Sequence, residues 1–171
     1  MSRRSILIES LEATPRDLAR MLRRVSDEQA RARPAPGEWC IADVVAHFGY
    51  IEPPYLARLR RIIELDNPHE PYLHPDERAH DLARPLAELL AEFVERRAAT
   101  VAFLQGLEQR DWGRPLVHAA IGPTRFRDQV QELVSHDNAH LAQIVALREA
   151  LTVDPPSPPA PAPPPWERGN Q

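Results

Sequence analysis

Seven histidines lie in a chain of 171 residues. Two of them, His136 and His140, are four apart in the run ELVSHDNAHLAQI. On a helix, positions i and i+4 share one face about 6 Å apart along the axis, so two imidazoles so placed can converge on one metal ion. In a chain with this many histidines the spacing alone is weak grounds. The surroundings are stronger. Leu133, His136, His140, Ile144, Leu147 and Leu151 follow one another at steps of three and four, the pattern of a core seam. Both histidines therefore point where leucines would. A bundle interior does not accept two imidazoles without partners, and one metal ion satisfies both. His47 lies three after Val44 and four before Ile51, at the edge of a second apolar stripe. Three histidines from two helices match a tripod with a fourth position left for water, the arrangement of catalytic rather than closed structural zinc sites. The competing account is three separate core or boundary histidines, each hydrogen-bonded to a neighbour.

Other polar residues share these seams. Gln143 is three after His140 and seven after His136, so it can orient an imidazole or bond a metal-bound water; an ordinary buried amide fits equally well. Asp43, four before His47, can do the same, although an acid in a first helical turn is commonly there for the helix dipole. Asp137 is expected to form a core salt bridge to an arginine. Trp39 is expected to plug the end of the bundle, with lining of a pocket as the alternative. His69, His74, His80 and His118 fall in connections and read as solvated, with His69 and His74 able to flank a pocket mouth.

The elements that must position these residues are helices. Alanine, leucine, arginine and glutamate dominate, and no stretch alternates apolar and polar residues convincingly. Four periodic segments stand out. The first runs from about Ser5 to Val25, with a kink or restart expected at Thr14-Pro15. The second runs from about Ile41 to Leu65, with a bend expected at Pro53-Pro54. The third runs from Pro85 to Gly106, and the fourth from just after Thr124, a candidate N-cap, to about Leu151. The stretch SDEQARARPAPGEW joins the first two with one short helical turn. About 19 residues, 66–84, join the second and third, long enough to carry the chain the length of a bundle. Residues 1–152 are thus read as one all-α domain. Residues 153–171 are read as a disordered Pro-rich tail, since eight of the eleven positions from 155 to 165 are proline.

Composition excludes several function classes. The net charge is -4, so no global basic field attracts nucleic acid. All 21 basic residues are arginine, which rules out a lysine Schiff base or a P-loop lysine. The single cysteine, Cys40, rules out an intramolecular disulfide and a CxxC pair. No apolar run of about 18 residues offers a membrane span. The start of the chain, with Glu9 and Glu12, has the form of neither a signal nor a transit peptide, so the cytoplasm is the expected location.

The stretch RPAPGEWCIADVVAHFGYIE, followed by a helix carrying HDNAHLAQI, resembles the DinB/YfiT-like superfamily of small bacterial metalloenzymes. That family has a Pro-x-x-Gly/Asp-x-Trp-Ser/Thr approach to its second helix, a His on that helix, and HxxxH on its last. Trp39, His47, His136 and His140 occupy those positions, and the likeness spans roughly residues 5–150. Cys40 departs from the usual Ser or Thr, and Pro53-Pro54 is unusual. The resemblance implies a four-helix bundle of up-down-down-up order. It implies a divalent metal on His47, His136 and His140, zinc or nickel, with iron and manganese as further candidates. It also implies a thiol S-transferase or hydrolase acting on a small-molecule substrate, with a low-molecular-weight thiol as a candidate cofactor. A non-catalytic metal-binding stress or regulatory protein is the alternative, and a plain helical interaction module a third. Homodimer formation is open.

Overall fold

Ser2 opens the first helix by accepting the Ser5 N–H on its side chain at 3.1 Å, one of the donors a helix start leaves without a partner. The computed structural model describes residues 2–71, 73 and 83–152. His74, His80 and the Pro-rich tail lie outside the described residues. Five helices carry the fold: α1 (Arg3–Leu22), α2 (Asp27–Arg31), α3 (Ile41–Glu64), α4 (Leu86–Gly106) and α5 (Phe126–Thr152). The short α2 is the helical turn expected between the first two long segments. It starts with a capping box in which Ser26 and Gln29 satisfy each other's backbone N–H groups.

The four long helices run up-down-down-up, which follows from the two apolar clusters of the core. One cluster holds Leu7 and Leu11 of α1, Tyr55 and Leu59 of α3, Val101 and Leu104 of α4, and Phe126 and Val130 of α5. The other holds Leu18 and Leu22, Ile41 and Val44, Leu86 and Leu89, and Ile144 and Leu147. Thus the start of α1, the ends of α3 and α4 and the start of α5 share one end of the bundle. The long connection from α3 to α4 therefore has to return the chain along the bundle before α4 can descend beside α3.

Prolines do not divide these helices, contrary to the restart expected at Thr14-Pro15. Pro15 lies inside α1, and Pro53 and Pro54 lie inside α3. A proline deprives the carbonyl four residues earlier of its helical donor. In α1 that carbonyl is Leu11, which accepts from Arg97 Nη1 at 3.3 Å. In α3 the carbonyl opposite Pro53 is Gly49, which accepts from Arg96 Nη1 at 2.8 Å. Two neighbouring arginines of α4 thus supply the hydrogen bonds that Pro15 and Pro53 withhold.

A small sheet joins the connections at the lower end. Strand β1 (His69–Glu70) pairs in parallel with β2 (Pro115–His118), which pairs antiparallel with β3 (Gly122–Arg125). Gly122 takes a φ of +77° where the hairpin returns, a conformation cheap only for glycine. Thr124, read as an N-cap, belongs to β3. The Asp128 carboxylate instead takes the Arg125 N–H at 3.2 Å at the start of α5. His118, read as solvated, is buried in β2 with its Nδ1 accepting from the Ala120 N–H at 3.1 Å. β1 on one side and β3 on the other cover both edges of β2, which a reading of the segment as an open connection does not anticipate. His69 is exposed as expected.

Candidate metal centre

α3 begins at Ile41, directly after Cys40, whose backbone is still extended, and Asp43 fixes that start. Its carboxylate accepts the Cys40 N–H at 2.8 Å and the Arg33 guanidinium at 2.7 Å. Burial pushes the Asp43 carboxyl upward, but the hydrogen bonds to Cys40 and Arg33 outweigh it and hold the group below the usual carboxylate range. Burial also raises the Cys40 thiol. Asp43 is thus turned toward the cap and Arg33. One turn further on, the fixed start of α3 presents His47 to the interior.

His47 on α3 and His136 and His140 on α5 come together. Each offers one ligand atom, and these atoms all lie within 4.8 Å of one another. The Nε2 atoms of His47 and His136 are 2.9 Å apart. Ring centroids are separated by 4.4 Å between His136 and His140 and 4.7 Å between His47 and His140. His47 is buried, and the other two are partly exposed, so the cluster opens to one side. Nitrogens around a tetrahedral ion with bonds of about 2.0–2.1 Å stand about 3.3 Å apart. The present spacing is within a few tenths of an ångström of that for the closest pair.

The atoms behind the imidazoles suit the same task. His140 Nδ1–H donates to Gln143 Oε1 at 2.8 Å, which leaves Nε2 as the ring's lone-pair nitrogen. His136 Nδ1 is buried and faces Asp137 Oδ1 at 3.8 Å. Trp39 stacks parallel to His140, centroids 5.9 Å apart at 7°, and meets His47 edge-on at 5.1 Å. Phe48 closes the inner side with its ring edge-on to His136 and His140. Beside the cluster a recess of about 570 Å³ is lined by Pro34, Glu38, Trp39, His140, Gln143 and Leu147 among others. Trp39 therefore both packs against the upper core and walls the recess.

Beneath the histidines lies an ionic cluster that periodicity alone did not reveal as part of the site. The Arg97 guanidinium grips both oxygens of Asp137, with Nη2 to Oδ1 at 3.0 Å, and its Nε donates to Glu52 Oε1 at 2.8 Å. Thr14 donates to Asp137 Oδ2 at 2.8 Å, and Thr100 to Glu52. All three charged side chains are 1% exposed. The salt bridge expected for Asp137 is thus present, with Arg97. Burial would raise Asp137, but hydrogen bonding to His136, Arg97 and Thr14 and the charge of Arg97 hold it below the usual range. Burial would lower Arg97, and its two carboxylates raise it instead. One guanidinium against two carboxylates leaves an excess of negative charge next to His136, which favours a cation among the three imidazoles. The sequence did carry a signal for this cluster. Glu52 falls between Phe48 and Tyr55, and Arg97 between Phe93 and Val101, on stripes otherwise apolar.

A sequence model of the DinB superfamily matches residues 10–144, a span that contains α3, α4 and all three histidines. The chain belongs to the DinB superfamily. No curated protein sequence matches it, but solved structures do. YfiT from Bacillus subtilis, described as "a probable metal-dependent hydrolase with an unusual four-helix bundle topology", superposes with a TM-score of 0.75 at 21% identity, covering 90% of this chain and 91% of that one. A DinB-like protein from Bacillus cereus gives 0.64 at 19% identity, over 84% and 90% of the two chains. TT2238, a four-helix bundle protein, gives 0.61 at 20% identity, over 84% and 98%. At these identities the likeness establishes the fold. The four long helices of this DinB bundle agree with the four-helix bundles described for YfiT and TT2238.

Proposed function

We propose that this DinB-superfamily chain is a metal-dependent enzyme acting on a small molecule, with His47, His136 and His140 holding a divalent ion. The observation that carries the reading is the convergence of three imidazoles from two helices, open on one side, above a buried cluster with excess negative charge. Zinc and nickel both suit a set of three neutral imidazoles. A divalent ion there would supply Lewis-acid activation of water near neutral pH. Around it the protein's own groups have defined tasks. Gln143 fixes the His140 tautomer, Asp137 sits behind His136, and Trp39 keeps one flank dry. The recess beside His140 is of a size that holds a small substrate, whose apolar part would lie on Trp39 and Leu147.

Hydrolysis is the favoured reaction, in keeping with the description of YfiT and with the open side of the cluster. Purified protein and the three single His→Ala variants should be compared for metal content per chain, then for hydrolysis of small esters and amides with and without an added thiol. The expected outcome is one bound ion in the parent and less than a tenth of that occupancy in each variant, since two imidazoles leave an ion mainly hydrated. Full occupancy in His47→Ala would remove the tripod. Turnover only with thiol present would replace hydrolysis by thiol transfer.

A further inference from the structure

At the other end of the bundle from the histidines, the start of α1 meets the link between α4 and α5 around a recess of about 340 Å³. Four arginines line it: Arg3, Arg4, Arg110 and Arg127. No carboxylate is among its lining residues, in a chain whose net charge is -4. Two of these arginines occupy the first turn of α1, which contains no acidic residue. A helix N-terminus carries about half a unit of positive charge, so cations there are unfavourable by a few tenths of a kcal/mol or more unless an anion joins them. The acidic neighbours are few and outside the recess. Arg110 pairs with Glu108 at 3.1 Å in solvent, and Arg127 Nε is 3.7 Å from Asp128. Arg4 donates to the carbonyls of Gln105 and Leu107 and lies over the Trp112 ring at 5.6 Å. Trp112, 4% exposed, forms part of the wall, and its buried indole N–H has no acceptor among the described residues.

We propose that this recess binds a small phosphate-bearing anion. Guanidinium groups match phosphate oxygens in planar, two-pronged fashion. A helix start adds backbone dipole of the same sign, and the volume falls in the range of small-ligand sites. The concave shape and the Trp112 and Leu7 side chains at its wall give room for an apolar part beside the phosphate. The site is independent of the histidines: it shares no lining residue with the recess beside them.

The test is calorimetric titration of the full chain with inorganic diphosphate, repeated on an Arg3→Ala/Arg127→Ala double variant, on Arg24→Ala and on His136→Ala. Both substituted arginines of the double variant are exposed, so its helicity should match the parent. Saturable binding is expected, weakened tenfold or more in the double variant and changed less than twofold in Arg24→Ala and His136→Ala. Absence of saturation, an equal loss in Arg24→Ala, or a loss confined to His136→Ala would overturn the proposal. The last of these would place diphosphate on the histidine site. Co-sedimentation with phosphatidylglycerol vesicles separates the two sources of phosphate. Capture competed by diphosphate assigns a lipid headgroup, and diphosphate binding without capture assigns a soluble ligand.

Discussion

Arg97→Met tests the claim that the buried ionic cluster holds the bundle and its histidines together. Methionine keeps most of the aliphatic length and packs well in irregular interiors, so the change isolates the guanidinium. What is lost can be itemised. Asp137 loses a two-pronged partner, Glu52 loses its guanidinium, and the Leu11 carbonyl, already deprived of its helical donor by Pro15, loses Arg97 Nη1. Removing one partner of a buried ion pair costs about 3–5 kcal/mol, because the remaining charge stays desolvated. Here two carboxylates remain, with Thr14 and Thr100 as neutral donors that soften the loss. A cost near 4 kcal/mol is therefore expected, against a total stability of about 5–15 kcal/mol for a domain of this size. In a thermal melt that is roughly 8–16 °C.

The measurement is urea unfolding followed by helix circular dichroism, on Arg97→Met and on the triple variant Arg97→Met/Glu52→Gln/Asp137→Asn. The triple variant should regain part of the loss, because neutral amides replace the stranded carboxylates. A loss below about 1 kcal/mol in the single variant would refute the reasoning. So would a triple variant less stable than the single one by the sum of two further independent penalties, one for each added substitution. Either result would mean that water reaches the cluster and that Arg97 acts by packing alone.

Other consequences follow at separate sites. Gln143→Ala should weaken metal binding about 10- to 100-fold with the fold intact, read by competition with a chromophoric chelator. Arg96→Ala should cost about 1 kcal/mol, since it strips the Gly49 carbonyl of its donor opposite Pro53; urea midpoints report it. Asp43→Asn should cost about 1 kcal/mol at pH 7, allowing for the exposure of Arg33. Because Asp43 is held below the usual carboxylate range, its contribution is present above about pH 4 and fades as pH falls through its folded value. The stability difference between parent and Asp43→Asn should therefore narrow in acid. Bound metal should be released as pH falls, because imidazole coordinates only as the neutral base, while helicity persists, since four apolar helices carry the fold. Elemental analysis and circular dichroism on the same samples from pH 8 to 5 distinguish this from an ion on which folding depends.

The long helices and the three histidines were legible in the sequence because each rests on a local rule. Leucine steps of three and four mark a helix face, and an imidazole on such a face is conspicuous. The rest depends on contacts that no local pattern encodes. Strands of two and four residues are too short to show alternation, so β1, β2 and β3 read as connections and buried His118 read as solvated. The partners of Arg97 lie 45 and 40 residues away, and nothing near Glu52 or Asp137 names it. Asp43 had two local readings, and the choice turned on Arg33, ten residues earlier in the link between α2 and α3.

The prolines give the sharpest case. Each rule applied to α1 and α3 alone says that the helix breaks or bends, because a carbonyl is left without a donor. That rule is sound, and tertiary structure answers it from one dipeptide. Arg96 and Arg97 are consecutive on α4, about 100° apart around its axis, so they leave it in different directions. α4 lies between α3 and α1 in the bundle, and one arginine reaches the Gly49 carbonyl while the other reaches that of Leu11. The order of helices that brings α4 between those two partners is the up-down-down-up order itself. Pro15 and Pro53 are thus tolerated because of the topology, and Arg97, in closing the gap at Leu11, also fixes Asp137 beside His136.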